Sequence, residues 1–124
     1  MRYITDEEFK IASRFLFFSM AIEVIQKDLD TLRSNTIFKI NKPYIKLLES
    51  IEKKAIEERR ELKQQMNMKH LNVLQTGKDD MFTEYIFYSK RKEEKRHYFN
   101  PAIRKKVLVI IEELFESIKL KTGN

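Results

Sequence analysis

The sequence predicts a mainly α fold: three long amphipathic helices in a single-domain bundle, with a β-hairpin at about residues 81–99 before the C-terminal helix. Three observations predict it. Ile11, Phe15, Phe18, Ile22, Ile25, Leu29 and Leu32 recur at alternating spacings of four and three, the period of one helix face. Asn41-Lys42-Pro43 and Asn100-Pro101 each read as an N-cap with an early proline, where the missing N–H is not needed, and each opens a new apolar periodicity. No internal repeat, low-complexity linker or interior boundary divides the 124 residues, so residues 1–124 form one domain.

The first helix opens on Thr5-Asp6-Glu7-Glu8, which has the form of a capping box. Phe9, Ala12, Leu16, Met20 and Val24 add a second apolar flank to its stripe. A helix apolar on so much of its surface is buried, in its own core or against a partner. Ser34-Asn35 ends the stripe, and Thr36–Ile40 connects to the second helix. There, Tyr44, Leu48, Ile51, Ala55 and Leu62 face inward with Ile45 and Ile56 beside them, and the outer positions carry charges of both signs. This pattern fades after Leu62, and Gly77 with Lys78-Asp79-Asp80 marks a break.

Met81–Phe99 admits two readings. Thr83, Tyr85, Ile86, Phe87 and Tyr88 favour a strand, with Arg96–Phe99 returning as its antiparallel partner. The turn would then be Lys90–Lys95, whose lack of Gly, Asn or Pro counts against a tight hairpin. A helix from Asp80, with Lys90 and Glu94 paired one turn apart, is the alternative. The last helix carries Ile103, Val107, Ile110, Ile111, Leu114 and Ile118 on one broad face, and Gly123 closes it.

Composition excludes much chemistry. Zero cysteines remove disulfides, thiolate metal sites and cysteine nucleophiles, two glycines rule out most phosphate-cradling loops, and two histidines leave little for metal or acid–base work. No cofactor and no metal are expected. Ile11–Ile25 is too short to span a bilayer and carries Arg14 and Glu23, and acidic residues precede it where a secretory signal has basic ones. The chain reads as cytoplasmic, and its many Lys and Ile codons point to an AT-rich bacterial or phage genome.

The charge distribution gives the functional expectation. Residues 1–41 carry six basic and six acidic side chains, whereas Lys90, Arg91, Lys92, Lys95, Arg96, Arg104, Lys105 and Lys106 stand against Glu93 and Glu94 alone, a local +6 equal to the whole chain's excess. Tyr85, Phe87, Tyr88, Tyr98 and Phe99 flank this run. The first expectation is a non-enzymatic macromolecular interaction or adaptor module presenting a basic surface to an acidic partner. The alternative is a nucleic-acid-binding protein, winged-helix-like or helical, with those cations on phosphates and Tyr88 or Tyr98 stacking on bases. A helix-turn-helix around Ser34–Asn41 is disfavoured by the length of the connector.

Self-association is expected too, because the second helix is too thinly apolar to cover the first. Its interface would use Ile11, Phe15, Phe18, Ile22, Ile25 and Leu29 of the first helix with Ile103, Val107, Ile110 and Leu114 of the last. The catalytic candidates are weak. Glu23 is a lone carboxylate in an apolar stretch, and Glu93 or Glu94 with His97 is half of a metal motif without its second half. Met66 and Met68 would point to different faces of a helix.

Overall fold

The computed structural model describes residues 3–34 and 39–122, with side chains up to Lys119. Most of the expected connector (residues 36–38), Asn35 and the closing Gly123 lie outside the described residues. The fold is α+β, which corrects the expected mainly-α bundle. Two helices, α1 (Asp6–Ser34) and α2 (Lys42–Met68), precede a three-stranded antiparallel meander of β1 (Leu71–Lys78), β2 (Phe82–Ser89) and β3 (Lys92–Phe99), and α3 (Asn100–Thr122) follows.

The capping box forms as the sequence requires. The Thr5 N–H donates to Glu8 Oε1 at 2.8 Å and the Glu8 N–H donates to Thr5 Oγ1 at 3.1 Å. The bond from the Thr5 backbone holds the Glu8 carboxyl below its ordinary value of 4.5; partial burial opposes that shift, and Lys92, whose Nζ lies 3.2 Å away, reinforces it. A carboxyl more acidic in the folded than in the unfolded chain stabilises above its unfolded pKa and loses that contribution as pH falls through the folded one. Stability should therefore decline on acidification below about pH 4.5. Glu8→Gln keeps the box geometry but should flatten that part of the decline, costing no more than about 1 kcal/mol at neutral pH, as read from urea titrations at pH 7 and pH 3.

Asn41 precedes α2 as expected, but its side chain makes no capping bond; its amide donates to the Leu32 carbonyl at 2.8 Å and ties the end of α1 to the start of α2. Ile51, Ala55 and Met66 are the buried residues of α2, which thus runs past Leu62, while Tyr44 is exposed rather than inward. Met66 is buried and Met68 exposed, as opposite faces require.

The sheet comes from burial, not turn chemistry. Thr83, Tyr85, Phe87 and Ser89 alternate inward along β2. The turn is the two residues Lys90-Arg91, tighter than expected, with Lys90 at φ 53°. A left-handed lysine costs about 1–2 kcal/mol, which the buried side of β2 outweighs. Strand β3 therefore starts at Lys92, not Arg96, and pairs Ser89 with Lys92 through Phe82 with Phe99. Strand β1 was not expected at all. It pairs Leu71 with Ser89 and Val73 with Phe87, and a bulge lies between Gln75 and Gly77. Ser89 Oγ donates to the Lys69 carbonyl at 2.8 Å, anchoring the α2–β1 turn, where His70 is also left-handed at φ 56°.

Two buried clusters result. In one, Phe17, Phe18, Ile22, Ile25 and Leu29 of α1 meet Ile51 and Ala55 of α2 and Val107, Ile110 and Leu114 of α3. In the other, Ile4 and Ala12 with Phe9, Ile11 and Phe15 meet Leu71, Tyr85 and Phe87 of the sheet and Met66 of α2. The sheet thus lies over Phe9, Ala12, Leu16 and Met20 of the second apolar flank of α1, while Val24 stays exposed.

Candidate interaction surfaces

Pleating disperses the basic run. In β3, Lys92, Glu94, Arg96 and Tyr98 share the face paired with the buried residues of β2, while Glu93, Lys95, His97 and Phe99 share the other. Each inward cation has an intramolecular partner: Lys92 pairs with Glu8, and Arg96 pairs with Glu94 and stacks over the Phe9 ring at 4.0 Å. Lys90 and Arg91 sit at the hairpin tip beside Lys69 and His70, around a cavity of about 480 Å³. Eight residues of strand, roughly 26 Å, separate that tip from α3. On α3, Arg104 faces one side and Lys105 and Lys106 the other. The expected basic run is therefore divided among five places: the hairpin tip, the two faces of β3 and the two sides of α3.

The expected stacking residues also divide. Tyr98 packs edge-on against Phe17 (5.5 Å) and Tyr85 (5.9 Å), and burial pushes its hydroxyl pKa up; it is a core ring, not a platform. Tyr88 lies on the outer face of the sheet between Asn72 and Glu93. The expected oligomer interface fares similarly. Phe18, Ile25, Leu29 and Leu114 are each 1 % exposed, Ile22, Val107 and Ile110 are buried, and Ile11, Phe15 and Ile103 are half-buried within the clusters.

Glu23 is exposed and pairs with Lys27 at 3.6 Å, so it does not sit in the apolar core, and Arg14 pairs instead with Glu113 at 3.1 Å. His97 Nε2 lies 2.7 Å from Glu84 across the strands, not beside a helical Glu94. The Thr76 hydroxyl donates to the same Glu84 carboxylate at 2.7 Å and, as the main cause, keeps it more acidic than usual. Among the described residues no group of three His, Asp or Glu side chains could hold a metal, and no helix is long and apolar enough to cross a membrane.

Two surfaces remain that the sequence did not single out. The first is the outer face of the sheet. Leu74, Ile86 and Tyr88 line its centre, and Phe82 and Phe99 stack at 5.7 Å at one end. None of these five belongs to either buried cluster, and Leu74 is 54 % exposed. Its charges nearly balance, with Glu84 and Glu93 against Lys95 and the Glu84-paired His97.

The second surface is a groove of about 530 Å³ where α3 crosses α1. Lys10 and Arg14 from α1 and Lys105 and Lys106 from α3 line it, and Glu113, the one acid, is taken by Arg14. Phe17, Ala102, Val109 and Ile110 form its apolar part. Like charges at Lys10 and Arg14, one turn apart, cost a few tenths of a kcal/mol. The only sequence signal for this site was the helical spacing of 10, 14 and 17 on one element and 102, 105, 106 and 109 on another.

Comparison with known proteins places the chain in a family. The chain is 31 % identical over 107 residues to the uncharacterized protein YhjD of Bacillus subtilis (strain 168), covering 86 % of this chain and 88 % of that one. No solved structure matches it. The YhjD protein family model matches residues 3–119, and the chain belongs to that family.

Proposed function

We propose that this protein is a non-catalytic interaction module that works as a homodimer, with the outer face of the sheet as the surface of association. The apolar centre of that face, exposed Leu74 with half-buried Ile86 and Tyr88, carries the reading, because a contiguous apolar face marks a site of macromolecular contact. Charge selects the occupant. The chain carries +6, so two copies repel over most of their surfaces. On this face two carboxylates offset one lysine and one paired histidine, and Glu93 and Lys95, two residues apart on β3, can pair reciprocally across a two-fold axis. The exposure and ion pairing of Glu23, the one carboxylate considered for acid–base work, favour the non-catalytic reading.

The dispersal of the basic run favours self-association over a nucleic-acid partner. Sedimentation equilibrium from about 1 to 500 µM should show a reversible dimer, and Leu74→Asp, at an exposed site, should leave a folded monomer. A wild type that stays monomeric throughout, or a variant that dimerises as well as wild type, overturns the proposal. So would tight binding of a labelled DNA duplex by the monomer that weakens about a thousandfold between ~50 and ~200 mM salt.

A further inference from the structure

We infer that the groove between α1 and α3 binds a small amphipathic anion, a phosphate or carboxylate head on an apolar body. The groove holds four cations and one carboxylate. Arg14 occupies that carboxylate and also lies over the Phe18 ring at 5.0 Å. Among the described residues Lys10 and Lys105 make no ion pair, and Lys106 meets only the Phe17 ring, at 5.7 Å. With Arg14 matched by Glu113, three ammonium groups gathered from two helices, distant in sequence, still repel one another, and a bound anion relieves that repulsion.

The apolar part of the groove makes the ligand more than a phosphate. Phe17, Ala102, Val109 and Ile110 line the same groove as the cations, and Val109 is 45 % exposed. A volume of about 530 Å³ suits a small molecule rather than a helix or a duplex. The opposite side of the same crossing shows the contrast. There a groove of about 430 Å³ has Lys27 paired with Glu23 and Arg104 as its one further cation, so nothing similar concentrates positive charge.

Calorimetric titration of the purified protein with decyl phosphate, below its micellar concentration, tests the inference. Saturable binding of one molecule per chain is expected, with inorganic phosphate and decanol each at least about tenfold weaker. The exposed double substitution Lys105→Glu/Lys106→Glu should weaken decyl phosphate by about tenfold or more, and Val109→Trp should abolish binding by filling the groove with every cation in place. The inference fails if inorganic phosphate binds as tightly as decyl phosphate, if either variant binds like wild type, or if only vesicles of anionic phospholipid are bound. None of these substitutions touches the sheet face, so the oligomeric state reads out separately.

Discussion

Phe87→Ala is expected to destabilise the protein by about 3–5 kcal/mol, while Ile86→Ala, one residue earlier, costs less than about 1.5. Phe87 is 0 % exposed, sits opposite Val73 on one side and Glu94 on the other, and meets the Phe9 ring edge-on at 5.0 Å. Removing it opens a cavity between the sheet and α1 that neither a strand nor a helix can close without moving the whole layer. Ile86 points to the other face, where no buried cluster forms. Since domains of this size hold roughly 5–15 kcal/mol, the first variant should lose about a third or more of the total stability. Urea titration at a concentration below self-association reads both. Equal losses, or a reversed order, would mean that β2 presents its other face to α1, since a slip of one residue inverts every side chain.

Asn100→Ala should cost about 2–3 kcal/mol, more than the loss of a helix cap. Its side chain makes no bond to α3's own turn. The Thr83 hydroxyl, buried on β2, donates to Asn100 Oδ1 at 2.6 Å, and Asn100 Nδ2 donates to the Asp79 carbonyl at 3.0 Å. The Asn100 N–H donates to the Met81 carbonyl at 2.7 Å. One residue thus joins the first turn of α3 to the β1–β2 turn, where the Asp79 carboxylate accepts from the Met81 and Phe82 N–H groups. Alanine leaves the Thr83 hydroxyl buried without its acceptor, and that desolvation is the larger part of the loss. In the Thr83→Val background the same substitution should cost at least about 1 kcal/mol less. Additive losses in this double-mutant cycle would show that the two side chains do not act together.

These contrasts also show which parts of the structure were legible in the amino-acid order. The capping box was, because its donors and acceptors lie three residues apart and need no tertiary partner. The stripe of α1 and the face of α3 were, because burial of one helix face imposes a period that survives whatever covers it. Strand β2 was half legible through Thr83, Tyr85 and Phe87. Its turn was not, because Lys90 adopts a left-handed conformation that propensity assigns to Gly or Asn. Strand β1 was invisible, since Leu71 is its one fully buried residue and an edge strand held by pairing with β2 leaves little pattern of its own.

The sequence by itself determined three helices, their starts, a strand-favouring run at Thr83–Tyr88 and an excess of positive charge late in the chain, all set by interactions within a few residues. Tertiary structure alone decided that a sheet packs against the N-terminal half of α1, because strand pairing joins residues up to 18 positions apart in sequence. It also decided where the charge acts. The pitch of a strand and of a helix sends neighbouring cations to opposite faces, so Lys90–Lys106 disperses, while Lys10 and Arg14 come together with Lys105 and Lys106 across a separation that no local pattern records.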